Sequence, residues 1–283
     1  MAPKTKAFFD VDWLSLREPV DYRSRAESLL PHVEAASNAH RWSQVLDLGS
    51  GTGSNLRYLA PRLPGHQDWT LVDHDPVLLN NPVQDNLLDQ VRSIRRVQGD
   101  LNTHVLSEID QADLVTASAL LDLVSEDWLK RLVKACQRTG CDAYFALNYD
   151  GDIRWFSEGN HNCDLTPDDV PNDDLIRNAL NTHQRGDKGF GPALGPTAGI
   201  MADRLFKAAG YHTWFSPSPW WLGPQDRHLV DRLINEWKQT SLGVENDRSH
   251  RDRIEAWATH RRQTVNTGTF ALRVGHHDLL AVL

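Results

Sequence analysis

Residues 45–53 read Val45-Leu46-Asp47-Leu48-Gly49-Ser50-Gly51-Thr52-Gly53. A short apolar strand runs straight into a glycine-rich turn. Leu56, Leu59 and Leu63 then share one face of a helix that Pro64-Gly65 ends. Such a turn between strand and helix lets the backbone approach a ligand closely. Two readings compete. The nicotinamide fingerprint is Gly-x-Gly-x-x-Gly, but here the third glycine comes one residue early and Ser54 stands in its place. A carboxylate at Asp47 would also repel a pyrophosphate and suits a ligand with positive charge.

Outward from this stretch, strand and helix alternate. Strands are predicted at 69–72, ending in Asp73-His74-Asp75, at 93–98, ending in Gly99-Asp100, at 112–117 and at 143–147. Helical spacing falls between them, as with Trp128, Leu129, Leu132 and Val133. Alternation of this kind predicts βαβ units, a mostly parallel sheet and right-handed crossovers with helices on both faces. Before the first strand, 21–37 is predicted helical with a break or restart at Pro31.

The composition fits one large α/β domain: 283 residues, 40% hydrophobic and 24% charged. The net charge of −8 argues against nucleic acid or an anionic membrane as the main partner. Three cysteines without a CxxC fit a reducing, cytoplasmic setting rather than a disulfide framework or a zinc knuckle. No apolar run is long enough for a membrane span, and none near the N-terminus has signal-peptide form.

The segment Asp47–Gly53 resembles motif I of the class I S-adenosylmethionine-dependent methyltransferases. Asp73 resembles the acid that holds the ribose hydroxyls in that family. Asp100, with Leu101, resembles the segment that takes the adenine amino group. Residues 113–121, Asp-Leu-Val-Thr-Ala-Ser-Ala-Leu-Leu, resemble the fourth motif, at the methionine end and methyl group. The four occur in order, each at a strand's C-terminal end, and the resemblance covers roughly residues 40–150. It implies a Rossmann-like seven-stranded sheet with an antiparallel last strand, flanking helices and helical or loop lids. It also implies S-adenosyl-L-methionine as cofactor, held by Asp47, Gly49, Ser50, Gly51, Gly53, Asp73, His74, Asp100, Leu101 and Ser118. Family members often lay an N-terminal helix over the cofactor. Arg25 would then meet the methionine carboxylate, and Tyr22 would edge the pocket.

The chemistry of the residues agrees. A carboxylate can hold two ribose hydroxyls, and amides at a helix N-terminus can take the methionine carboxylate. The chain then divides into a helical cap (1–40), a cofactor core (41–151), a lid excursion (152–196) and a closing part (197–283). The closing part carries a helical insertion at 218–267, which should roof the pocket or contact a second subunit. Segment 181–192, with His183, Arg185, Lys188 and three glycines, reads as a hinged lid that orients an acceptor. Its alternative is a solvated loop.

Asn148 and Tyr149 follow strand five and should form the pocket floor. His183 is the first choice for a general base, with Tyr149, Asp122 and His161 as alternates. Substrate contacts are expected from Asn148, Tyr149, Arg185, Lys188 and Tyr22. No metal is expected, because the adjacent His276 and His277 point different ways along a strand. The expected reaction is methyl transfer to an oxygen or nitrogen, less readily a carbon, of a small polar metabolite. The rivals are an RNA or protein methyltransferase with the same core, a nicotinamide-dependent oxidoreductase, and a catalytically dead scaffold that keeps the cofactor.

Overall fold

The computed structural model describes residues 10–81, 89–103, 108–156 and 170–283. His161, Cys163 and the apolar pair Leu87-Leu88 lie outside them.

Its centre is an eight-stranded sheet in the order β3-β2-β1-β4-β5-β8-β6, with β7 also paired to β8. The first five strands are β1 (Gln44–Leu48), β2 (Gln67–Asp73), β3 (Val91–Gln98), β4 (Leu114–Ser118) and β5 (Asp142–Phe156). All four pairings among them are parallel. The last strand, β8 (Ala271–Val282), runs antiparallel between β5 and β6 (His212–Pro217). The sheet therefore has one strand more than expected. The addition is β7 (Trp220–Leu222), which continues along the same edge of β8 after a break at Ser218-Pro219. Proline has no N–H for a ladder. Ser218 restores one bond by donating its N–H to the His276 carbonyl.

Apolar residues pack on both faces. On one face lie α1 (Val11–Ser24), α2 (Leu30–His40), α3 (Ser54–Leu59), α6 (Val170–Gln184), α8 (Arg227–Val244) and α9 (Arg248–Thr267). On the other lie α5 (Glu126–Thr139) and α7 (Ala198–Ala208), and a single turn, α4 (Pro76–Leu79), follows β2. Helix α5 shows why such segments form. Ser125 caps it by accepting from the Trp128 N–H, Glu126 and Asp127 open it, and Gly140 closes it in the left-handed region. Pro31 starts α2 rather than breaking a helix, because the first turn needs no N–H from it.

Two expectations about the second half are corrected. Strand five does not end at Leu147. It runs on through Asn148, Tyr149 and Asp150 to Phe156, paired with β8 across two register shifts. The supposed 181–192 loop is in part helix, since α6 extends to Gln184. That helix is anchored by Ile176 and Leu180 in the core and by Asp173. The Asp173 carboxylate accepts from Trp257 Nε1 (2.8 Å) and from Arg261 Nε and Nη2 (3.2 and 2.5 Å) of α9.

Candidate functional site

A cavity of about 240 Å³ opens at the C-terminal ends of β1–β4, the edge where open parallel sheets bind ligands. Its floor is the turn after β1. Gly49, Ser50 and Gly51 line it, while Gly53 sits behind as the left-handed N-cap of α3. At Gly51, φ is +53°, and a Cβ would stand 3.1 Å from Leu14 Cδ1 of α1. Only glycine combines that conformation with such closeness.

Asp73 ends β2 against this turn. One of its oxygens accepts the Gly51 N–H (2.8 Å) and the other the Asp75 N–H (2.9 Å), with His74 Nδ1 at 3.2 Å. The carboxylate is thereby fixed in place facing the cavity. His74 lines the same wall. Asp100 and Leu101 line the far end, where the Leu101 carbonyl accepts from Trp128 Nε1.

Beneath the turn lies a buried polar chain. Asn55 donates to Asp47 Oδ1 (2.8 Å) and to Thr116 Oγ1 (3.0 Å). Its own Oδ1 accepts from Arg25 Nη2 (2.9 Å), and that nitrogen also reaches Ser118 Oγ (3.2 Å). Asn55 and Ser118 line the cavity, whereas Asp47 and Arg25 lie behind them, 0% and 4% exposed. Three atoms of this chain have no hydrogen-bond partner: Asp47 Oδ2, Arg25 Nε and Arg25 Nη1. Burial pushes the Asp47 carboxyl up to about 7, opposed by the Asn55 hydrogen bond and the Arg25 charge. Unmet buried donors and acceptors are costly. Here an acceptor and two donors stand together behind the cavity wall that Asn55 and Ser118 form.

Several expected substrate residues are placed elsewhere. The Tyr22 hydroxyl donates to Glu18 and the Ser54 carbonyl, and its ring packs edge-on against Tyr58, away from the cavity. Arg185 is exposed and donates to the Asn181 carbonyl. His183 is exposed in the last turn of α6, with a ring nitrogen 3.2 Å from Lys188 Nζ. Partial burial and the Lys188 charge lower its pKa. Neither side chain lines the cavity, because α6 carries them past it.

Lys188, Gly189 and Phe190 do line it. This loop is held over the end of β3, where Asn102 donates to the Gly189 carbonyl and Phe190 packs on Trp128. None of the lining comes from 218–267, so that insertion buttresses α6 instead of roofing the cavity.

Asn148 and Tyr149 face a second, shallow cleft with Asp150 and His277. Asn148 donates to the His277 carbonyl, and the Tyr149 hydroxyl donates to Asn181 Oδ1. Burial raises the Tyr149 pKa, so it stays protonated at neutral pH. Asp122 is buried in the turn after β4, its Oδ1 without a partner, and burial pushes it up to about 6.

The sequence reading expected an N-terminal helix over the cofactor but not the residues of α1 that reach the cavity. Leu14, Arg17 and Asp21 line the cavity, with Arg17 bonded to both Asp21 oxygens. The i,i+4 spacing of Arg17 and Asp21 was a visible signal. Among the described residues no cluster has the makings of a metal site, and no helix is long and apolar enough to cross a membrane.

Residues 45–140 match the family model described as "Methyltransferase domain". No curated protein sequence matches the chain. Among solved structures, a cyclopropane synthase from Mycobacterium tuberculosis is similar at 12% identity over 96% of this chain and 94% of that one, with a TM-score of 0.48. A mycolic acid cyclopropane synthase solved with S-adenosylhomocysteine and CTAB is similar at 12% identity over 98% and 97%, TM-score 0.48. A Bacillus protein, YcgJ, is similar at 12% identity over 90% and 96%, TM-score 0.47. Likeness this loose transfers no residue role to this chain.

Proposed function

We propose that this chain, a class I S-adenosylmethionine-dependent methyltransferase by the domain it carries, methylates an oxygen or nitrogen of a small polar metabolite. The observation that carries the reading is the cavity itself. The ends of β1, β2, β3 and β4 line it, and α1 and the 188–190 loop narrow its mouth. That suits a small acceptor better than a polymer, and the acidic net charge points the same way.

Bound S-adenosylmethionine supplies a methyl group made electrophilic by its sulfonium. The chain's part is binding and alignment. Asp73, fixed by two backbone N–H groups, takes the ribose hydroxyls. Asp100 and the Leu101 backbone address the adenine edge, beside His74. Arg25 has two donors to spare for the methionine carboxylate, and Asp47 has one oxygen to spare for its ammonium. Arg17 and Asp21 close the methionine end and limit water there.

Two measurements test this. Thermal melting with S-adenosylmethionine and, separately, with nicotinamide cofactors should show a rise only with the former, since only a ligand of the folded state stabilises it. Protein given methyl-labelled cofactor and cell extract should then place label on a low-mass metabolite. Label confined to RNA or protein would overturn the small-metabolite reading.

A further inference from the structure

His276 is buried, 6% exposed, and the cofactor contacts do not use it. It lies on β8 opposite Tyr149 of β5. Ser118, at the end of β4, pairs with Ala146. Tyr149 and His276 thus stand just beyond the sheet edge on which the cavity opens.

The surroundings of His276 tie it to that cavity. Its ring centroid lies 5.0 Å from Trp220 and 6.1 Å from Tyr149. Trp220 Nε1 donates to Asp21 (3.0 Å), and the Arg17 guanidinium lies 5.1 Å from the Trp220 ring. Arg17 and Asp21 both line the cavity. A packed series of side chains therefore runs from Arg17 and Asp21, which line the cavity, through Trp220 to His276.

The tautomer follows from the partner. His276 Nδ1 is 3.1 Å from the Val274 carbonyl. A carbonyl only accepts, so Nδ1 carries the proton and Nε2 keeps a lone pair. No described residue donates to that lone pair. Burial and the nearby cations Arg17 and Arg273 hold the ring neutral, with its pKa lowered to about 3. A neutral ring locked in this tautomer can accept at Nε2 and cannot donate there.

We propose that His276 Nε2 receives the O–H or N–H of the methyl acceptor, so that the substrate is protic at the atom that is methylated. This rests on the methyl-transfer reading above. The hydrogen bond turns the acceptor's own lone pair toward the incoming carbon. Acceptor X–H becomes X–CH3, the sulfonium becomes a thioether that keeps the C–S electron pair, and the proton passes from the methylated acceptor to water while Nε2 acts only as hydrogen-bond acceptor. Hydroxyls, primary and secondary amines and ring N–H groups qualify. Tertiary amines and carbon acceptors do not.

The experiment has one arm without turnover and one with it. In protein labelled with 15N-histidine, free of ligand, the signals that vanish in His276→Gln should show the Nδ1–H tautomer, unchanged from pH 5 to 8. An Nε2–H tautomer, or titration in that range, overturns the proposal. In the second arm, methyl-labelled S-adenosylmethionine is supplied with the small-molecule fraction of cell extract. His276→Ala should lower the transfer rate about a hundredfold while calorimetric cofactor affinity stays within about twofold. His276→Gln, which offers Oε1 in place of Nε2, should recover about tenfold of that loss. Equal rates for wild type and His276→Ala overturn the proposal, as does a His276→Gln variant that folds but is no better than alanine. Label found only on macromolecules sinks the small-metabolite reading instead. The same pair of variants, compared on that macromolecule, then decides His276 separately.

Discussion

The two ends of the cavity are assembled by different rules. At the cofactor end most polar groups lie at or within a few residues of a strand's terminus: Asp47 in β1 and Gly51 after it, Asp73 at the end of β2, Asp100 after β3 and Ser118 at the end of β4, with Arg25 added from the stretch after α1. Around the other end, Arg17 at the lining and Asp122, Tyr149, Trp220 and His276 outside it come from helix, turn and three strands spread across most of the chain. Backbone geometry places the first set, because a parallel strand has to end at that edge. Side-chain packing places the second set, and no local pattern announces it. Substitutions at the cofactor end should therefore act on cofactor affinity, and those at the far end on stability or turnover.

The largest effect expected lies away from both ends, where α6 meets α9. Asp173→Ala would remove the carboxylate that accepts from Trp257 and from the Arg261 guanidinium buried against Trp155. Loss of one partner of a buried pair costs about 3–5 kcal/mol. Denaturant unfolding should show that loss, while cofactor affinity in the folded fraction stays unchanged. A matching loss of affinity would break the division between the two ends. Gly51→Val comes next. A β-branched residue at positive φ against Leu14 should weaken cofactor binding by about a hundredfold or more, which calorimetry on folded protein would measure.

Asp73→Ala should weaken cofactor binding by roughly ten- to a hundredfold, the loss of a charge-assisted partner. Unchanged calorimetric affinity would remove Asp73 from the ribose role. Asp47 offers a sharper test through protons. Its carboxyl sits near 3.8 when exposed and is raised to about 7 by burial. The folded chain therefore binds a proton that the unfolded chain has released, and this contribution to stability is lost as pH rises from about 4 to about 7. The melting temperature without cofactor should fall over that upper range, and less so in Asp47→Asn. Asp122, raised to about 6, adds a part of the same sign. A ligand ammonium at Asp47 should also expel the proton. Calorimetry near pH 6.5 in buffers of different ionisation enthalpy should detect release in wild type but little in Asp47→Asn. The smallest effect belongs to His183→Ala, which should leave cofactor affinity and turnover within about twofold, because the side chain is exposed beyond the cavity. A drop of a hundredfold in turnover alone would return it to the catalytic site.

How far the molecule could be read before folding depended on the reach of each signal. The glycine turn and strands β1 and β2 were legible because apolar runs ended in Gly or Asp, β3 by the Gly99-Asp100 that ends it, and β4 by its apolar run. The continuation of β5 was not, since Asp150-Gly151-Asp152 has turn composition. Gly151, at φ +90°, bends the strand there, and β8 pairs with it on either side. Helix α6 was hidden in the same way. Its Asp, Asn and Pro content suggested loop, and it stands on the packing of Ile176 and Leu180 and on Asp173 with Arg261. Mistaking the end of that helix for a loop also misplaced His183 and Arg185.

The sequence by itself determined the parallel αβ core, the ligand edge of the sheet and the acids set on it. A glycine turn and strand-terminal carboxylates act through backbone over a few residues, and parallel pairing brings all of those strand ends to one edge of the sheet. Only the tertiary structure decided which residues meet across the cavity. Arg17 stacks on Trp220, Trp220 packs on His276, and the Val274 carbonyl fixes the proton on that ring. Such pairings depend on distances of a few ångströms between elements far apart in the chain, and those distances exist only once α1, β7 and β8 have packed together.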